Sequence, residues 1–181
     1  YGAAIGGGYK GMAGNITING GKIYAYSNNG CGIGWGESGG SGGEIIINGG
    51  NIYAHSVNKF DISGTVKNSA GDKVSLVSIT LSGASDGDAV TKVAGITYGL
   101  TDVKTFNTYL YFYLPSGASS NITAITAGGK EYICRNRSTF YTSHDWSKKD
   151  GICAHGCGAA CVHENQTGST CEICGLQSGG F

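Results

Sequence analysis

The 181-residue chain contains one proline and one methionine, and only 13% of its residues are charged. One proline against 34 glycines excludes a collagen-like repeat, so glycine is expected to serve local backbone conformation. Basic and acidic residues balance at twelve each, which leaves no electrostatic footprint for nucleic acid or an anionic membrane. No apolar run approaches the roughly 20 residues needed to cross a bilayer, so no membrane span is expected.

The sequence also lacks the residue patterns of a catalytic site and of a secretion signal. Its four histidines form no nucleophile–base pair or triad that the sequence supports, so we expect a non-enzymatic protein. The start at Tyr1 has neither an initiator methionine nor a signal sequence, which predicts a processed product or an excised piece.

One motif occurs twice in the first 56 residues. Residues 2–8 return 28 positions later as residues 30–36, and residues 15–25 return 29 positions later as residues 44–54. A period of this size, built from short β-branched runs separated by glycine, is typical of stacked repeats in which each repeat covers its neighbour.

In the first repeat Ile16 and Ile18 alternate with polar residues, and in the second Ile45 and Ile47 alternate with Ile46 and Asn48. This period of two is expected for a strand with one buried face. We expect each repeat to turn at Asn-Gly-Gly into a second strand and to contain a third short strand at residues 3–8 or 31–36. Residues 1–56 therefore predict a two-turn parallel β-solenoid. The expected stacked pairs are Ile16 on Ile45, Ile18 on Ile47 and Ile23 on Ile52.

Two turns are fewer than the three or so that a stable array usually needs, and nothing at Tyr1 looks like a polar cap. Either further turns precede Tyr1 or another molecule covers the open end. We therefore predict self-association through the open solenoid end.

Residues 57–133 contain short alternating apolar runs separated by turns, with no helical period. This pattern predicts a small antiparallel β-sandwich. One of its strands places Tyr109, Tyr111 and Tyr113 on one face, where tyrosines can stack on sugar rings. The alternative is that these tyrosines are packing partners across strands.

The last segment, residues 134–181, is rich in cysteine and histidine. Cys161, His163, Cys171 and Cys174 offer three thiolates and one imidazole, which suits a closed tetrahedral Zn²⁺ site in a C-terminal knuckle. Because every position would be filled by protein ligands, we expect the zinc to be structural.

A second set of ligands precedes that site and lacks one member. His144, Cys153 and Cys157 have similar spacing, and either Cys134 or His155 can supply the fourth ligand. The alternative for the whole segment is a set of disulfides, which an extracellular location favours. The Cys-x2-Cys pair beside a Cys-x-His pair favours zinc.

Four stretches carry a resemblance to known proteins: Gly-Ala-Ala-Ile-Gly-Gly-Gly at residues 2–8, and residues 80–83, 98–105 and 110–115. Together they resemble modules of large surface or secreted proteins of Gram-positive bacteria, adhesin-like chains with collagen-adhesin-B-type sandwiches. The resemblance implies an extracellular or cell-surface location and a structural role in a surface stalk or self-associating fibre. The alternative function is a module that binds host or cell-wall glycan.

Overall fold

The computed structural model describes residues 1–40, 42–57, 66–148 and 151–160, and the backbone of residues 166–167 and 170–171. These residues form an all-β protein, as predicted, with one short 3₁₀ helix at Ala118–Asn121. No helix within the described ranges is long and apolar enough to span a bilayer. The strands are β1 (Ile5–Gly6), β2 (Ile16–Ala25), β3 (Ile33–Gly34), β4 (Ile45–Ala54), β5 (Val66–Lys67), β6 (Val74–Leu81), β7 (Val90–Ala94), β8 (Tyr109–Pro115), β9 (Ala124–Ala127), β10 (Lys130–Tyr132), β11 (Cys134–Asn136), β12 (Thr139–Tyr141), β13 (Gln166–Thr167) and β14 (Thr170–Cys171).

The two N-terminal repeats lie side by side and parallel, in the register that their sequence offset predicts. β1 pairs with β3, and β2 pairs with β4 along its length. The stacked pairs predicted from the sequence are confirmed: Ile16 with Ile45, Ile18 with Ile47, and Ile23 with Ile52.

The predicted break between strands at Asn-Gly-Gly is wrong. β2 and β4 each continue through this sequence as one strand of ten residues, with a register irregularity around Asn19. Gly21 and Gly50 adopt positive φ angles of 94° and 101°, which glycine tolerates without a steric penalty. The glycines therefore bend each strand as a bulge does, and the pairing resumes beyond them.

Glycine is required at a close approach of the two repeats. A Cβ built on Gly36 would overlap the carbonyl oxygen of Gly8, whereas a Cβ on Gly8 would meet no atom within 4 Å. The two glycines occupy corresponding places in the two repeats. Of this pair, only Gly36 is sterically constrained.

Within the described ranges, the second repeat is covered on its far side by a further strand, and the first repeat is not. β5 pairs parallel with β4, and Ile45, Ile47 and Ile52 are buried in a core that includes Val74 and Tyr113. The corresponding Ile16 and Ile23 of the first repeat are only half-buried. Apart from one bridge between Gly20 and Thr101, β2 pairs only with β4 among the described residues.

Two facing sheets enclose the largest core. One sheet has the order β11-β12-β6-β8, and the other has the order β10-β9-β7. Between residues 66 and 133 the strand pairings of both sheets are antiparallel. The first sheet is nevertheless mixed, because β12, which lies beyond the predicted sandwich, runs parallel to β6. The core residues from the two sheets and their connections are Ile79, Leu81, Val90, Val93, Val103, Leu110, Phe112, Leu114, Ile122, Ile125, Ala127, Tyr132 and Phe140.

Strand β11 brings the chain from this core to the candidate site. β10 ends at Tyr132 in one sheet, and after Ile133 the chain enters the other sheet at Cys134. β11 then pairs antiparallel with β12, with Cys134 opposite Tyr141. Cys134 therefore lies in the edge strand of this sheet and is held by its pairing with β12. The segment that follows β12 begins beside it.

Candidate metal centre

Four side chains from two parts of the chain converge beside β11. One ligand atom of each lies within 4.8 Å of every other, and this arrangement can hold a metal ion. We refer to them as the cysteine–histidine group: Cys134, His144, Cys153 and Cys157. Three of them come from the set predicted by spacing, and Cys134 completes the group.

Cys134 is placed by β-structure, and the other three are placed by a turn-rich segment. The backbone N–H of Ala154 donates to the carbonyl of Asp145, which joins the His144 side of the segment to the Cys153 side. The Cys153 N–H donates to the Ala159 carbonyl, so residues 153–159 form a loop that contains Cys157. Within this loop the Gly156 N–H donates to the Cys153 carbonyl and closes a turn just before Cys157. Gly156 has a φ of 71°, which this turn requires and glycine permits.

Two short contacts within the group are close to the ligand spacings of a tetrahedral zinc site. The Cys134 and Cys153 Sγ atoms are 3.6 Å apart, and His144 Nδ1 lies 3.2 Å from Cys157 Sγ. Zn–S bonds of about 2.3 Å at tetrahedral angles place two sulfurs about 3.8 Å apart. A disulfide requires about 2.05 Å, so the Cys134 and Cys153 sulfurs are not bonded to each other.

Burial and hydrogen bonds act in opposite directions on the thiols. Burial raises the pKa of Cys134, and the neighbouring Cys157 and Cys153 raise it further. Burial also tends to raise the pKa of Cys153, but hydrogen bonds with the Asp145 backbone, His144 and Cys157 outweigh it and lower the pKa to about 6. The Asp145 N–H lies 3.4 Å from Cys153 Sγ. These hydrogen bonds favour the thiolate form of Cys153, and thiolate is the form that binds metals.

The group is largely enclosed by protein. Cys134 and Cys153 are buried, and His144 and Cys157 are half-buried. Four protein ligands fill a tetrahedral shell, so the arrangement lacks the open coordination position that a catalytic zinc uses. The chemistry available to such a site is structural cross-linking of two chain segments.

Comparison with models of known protein families, with curated proteins and with solved structures gives no match. Function is therefore inferred from the geometry of the chain itself.

His155, the other candidate for the fourth ligand, lies outside the group. Its ring stacks on Tyr141 at 3.8 Å between centroids and 6° between planes. Cys134 therefore takes the place that the sequence left open between the two residues.

The second predicted site, Cys161, His163, Cys171 and Cys174, falls outside the residues whose side chains the structure describes. Only the backbone of β13 and β14 is described there, and the two strands pair antiparallel. This zinc site remains a prediction.

The three tyrosines predicted to share a face of β8 have different surroundings. Tyr109 is exposed and Tyr111 is half-buried, but Tyr113 is buried, with only 7% of its surface accessible to solvent. Tyr113 lies in the core shared with Ile47, and burial raises its pKa to about 12. Tyr113 is therefore not part of the exposed tyrosine face.

Other aromatic residues join Tyr109 and Tyr111 instead. Tyr24, Tyr53 and Phe106 line the same depression, together with Asn107. The sequence contained one signal for this arrangement, because the 29-residue offset that stacks Ile23 on Ile52 also stacks Tyr24 on Tyr53. Nothing in the sequence linked these repeats to the loop at Phe106.

Proposed function

We propose that this chain is a non-enzymatic structural module of an extracellular bacterial surface stalk or self-associating fibre. The observation that carries the proposal is the parallel, in-register pairing of two repeats, of which the first has no further strand beside it among the residues that the structure describes. In this proposal the repeats are two turns of a β-solenoid, and the open side of the first turn associates with a second copy.

The burial of equivalent isoleucines supports an associating surface on the first repeat. Ile45 and Ile52 are fully buried by the chain on their far side, whereas their partners Ile16 and Ile23 remain half-buried. An edge strand presents a row of N–H and C=O groups that can pair with another chain. β2 combines such an edge with a partly exposed apolar row.

The cysteine–histidine group supports a structural role at the other end of the described chain. We propose that it holds a Zn²⁺ ion, which ties the segment after β12 to Cys134 of the sandwich. The support is the donor set of three sulfurs and one imidazole, the spacing of Cys134 Sγ and Cys153 Sγ, and the enclosure by protein. The same chemistry makes disulfide formation the competing outcome if the thiols are oxidised.

A proline on the open edge tests the proposed association. The Ile16 N–H donates to the Glu44 carbonyl at 2.8 Å, so in a parallel ladder the N–H of the next residue, Thr17, is directed away from β4. Thr17→Pro removes a donor from the open edge without removing one from the β2–β4 ladder. The control is Thr17→Ala, which shortens the same exposed side chain and keeps the donor.

The measurement is molar mass by light scattering across a concentration series from about 1 to 200 µM, a range over which weak self-association is detected. We expect the mass of the native chain and of Thr17→Ala to rise with concentration, and that of Thr17→Pro to remain at the monomer value. Circular dichroism checks that all three retain the β-sheet fold. A native chain that stays monomeric throughout the series contradicts the proposal.

A further inference from the structure

We infer that an exposed aromatic surface, built jointly by the repeats and the sandwich, binds a neutral glycan through stacking on its pyranose rings. We refer to this set of side chains as the aromatic surface: Tyr24, Tyr53, Phe106, Tyr109 and Tyr111. This inference is independent of the proposed self-association and of the metal centre.

Three separate parts of the chain assemble the aromatic surface. Tyr24 and Tyr53 hold the same position in the two repeats, and their rings stack at 5.3 Å with 13° between planes. Tyr109 and Tyr111 project from one side of β8, with ring centroids 6.1 Å apart. The contact of Tyr53 with Tyr111, at 5.0 Å and 63°, joins the two pairs.

Phe106 closes this set from the loop that precedes β8. Its ring meets Tyr24 edge-on at 6.5 Å and lies 6.2 Å from Tyr111. The rings line a surface depression of about 340 Å³. Each ring contacts at least one other, so the surface is held in place before any ligand arrives, which reduces the entropic cost of binding.

The rings remain accessible although they pack on one another. Tyr24 is 65% exposed, Tyr109 is 42% exposed and Tyr53 is 40% exposed. Contiguous exposed apolar surface on a soluble protein commonly marks an interaction site, whereas scattered single apolar residues do not. The five neighbouring aromatic side chains form contiguous surface of the kind that marks an interaction site.

The charge at the rim indicates a neutral ligand. Lys22 Nζ pairs with Asp86 Oδ1 at 2.8 Å and lies 4.6 Å from the centre of the Phe106 ring. The Lys22 ammonium, first through its hydrogen bond, lowers the pKa of Asp86, so this carboxylate stays ionised and paired. The two charges cancel beside the rings, which offers no net attraction to an anionic ligand such as nucleic acid or a phospholipid headgroup.

The polar groups available suit a polyol. Tyrosine combines an apolar ring face with a hydroxyl that donates and accepts hydrogen bonds, and a pyranose combines apolar C–H faces with a rim of hydroxyls. Asn107 also lines the depression, and its backbone N–H donates to Asp86 Oδ1 at 2.8 Å. The described lining contains no aliphatic side chain of the kind that an apolar peptide would favour.

Two exposed tyrosines from different elements test the inference. Tyr24→Ala removes a ring of the repeats, and Tyr109→Ala removes a ring of the sandwich. The control is Tyr26→Ala, because Tyr26 is 53% exposed and contacts His55 outside the depression. Thermal melts by circular dichroism check that each variant keeps the native fold.

The probes are three neutral oligosaccharides: cellohexaose, xylohexaose and the hexamer of N-acetylglucosamine. Binding is measured by titration calorimetry on the full chain. We expect at least one probe to bind, with an affinity at least tenfold weaker for Tyr24→Ala and for Tyr109→Ala and unchanged for Tyr26→Ala.

Absence of binding by all three probes would overturn the inference, as would binding that persists in both test variants. The molar mass of each variant identifies the competing occupant. If Tyr24→Ala abolishes a concentration-dependent rise in mass and no probe binds, the aromatic surface is covered by a second copy and the inference fails. If no probe binds but the mass still rises in Tyr24→Ala, the glycan inference fails and the proposed self-association stands.

Discussion

The close approach of the two repeats makes one glycine far less replaceable than its counterpart 28 residues earlier. In Gly36→Ala the new methyl group meets the main chain of Gly8, which has no side-chain rotation available to relieve the contact. Restoring a normal separation of about 3.5 Å requires the repeats to move apart locally by on the order of 1 to 2 Å. Overpacking of this kind costs about 1 to 3 kcal/mol.

The unfolded chain contributes a smaller effect of opposite sign. Replacing glycine by alanine reduces the entropy of the unfolded state and stabilises by about 0.4 to 1 kcal/mol when the native site accepts the methyl group. Because the steric cost at Gly36 lies at the upper end of its range, we expect Gly36→Ala to destabilise by about 2 kcal/mol. Gly8→Ala meets open space and should be neutral or stabilising by about 0.5 kcal/mol.

These free energies correspond to measurable shifts in melting temperature. For a chain of this length, 1 kcal/mol shifts Tm by about 2 to 4 °C, so Gly36→Ala should melt about 4 to 8 °C lower and Gly8→Ala at or slightly above the native Tm. The fluorescence of Trp35, which is buried beside Gly36, reports locally on the same event in a Trp146→Phe background. Equal Tm values for the two alanine variants would refute the reasoning.

Two further predictions concern the metal centre and the ionisation of a buried tyrosine. We expect Cys157→Ser to lose one equivalent of zinc and Cys31→Ala, which corresponds to Ala3 in the earlier repeat, to lose none; equal zinc contents by mass spectrometry would contradict the site. Burial raises the pKa of Tyr113 to about 12, so in this range the folded state binds more protons than the unfolded state. Below about pH 10 Tyr113 is neutral in both states, and its effect on the free energy of unfolding does not change with pH. As the pH rises from about 10 to about 12, Tyr113 ionises in the unfolded state only, and the free energy of unfolding falls by roughly 2 to 3 kcal/mol. Denaturant unfolding should show a shallower alkaline loss in Tyr113→Phe, and an unchanged slope would exclude this contribution.

The pairing of the repeats was predictable because a sequence offset fixes which residues become neighbours. Once residues 15–25 and 44–54 are aligned, Ile16 must lie beside Ile45 if the strands are parallel and in register. The interpretation of Asn-Gly-Gly as a turn failed because the local sequence pattern is ambiguous. A positive φ at Gly21 or Gly50 serves a bulge as well as a turn, and only the neighbouring repeat determines which one forms.

The arrangement of the sandwich was less predictable, because alternation identifies strands without assigning them to sheets. The pattern Val77, Ile79, Leu81 correctly indicated β6. That β12 would join β6 in parallel depends on contacts between residues about sixty positions apart, and no local pattern encodes them. The same limit applied to the aromatic surface, where Phe106 meets Tyr24 across an even longer separation.

The fourth metal ligand illustrates how strand pairing decides what spacing leaves open. His144, Cys153 and Cys157 lie within 14 residues, so their convergence follows from local turns. Cys134 reaches them because β11 folds back on β12, whereas His155, although nearer in sequence, stacks on Tyr141. The spacing in sequence thus did not distinguish Cys134 from His155 as the fourth ligand. The hairpin of β11 and β12 places Cys134 in the group.

The position of the cysteine–histidine group also explains why a metal would matter there. Between residues 142 and 160, among the residues described, only Gly151 and Cys153 are buried, so the segment contributes little apolar surface to a core. The main core ends in sequence at Phe140 and contains no residue of this segment. A bound ion would therefore fold the segment onto β11 largely through its own coordination energy, as in small zinc-dependent modules. It follows that chelation should release residues 142–160 while the strands from β6 to β10 keep their packing, and amide exchange distinguishes this local release from global unfolding.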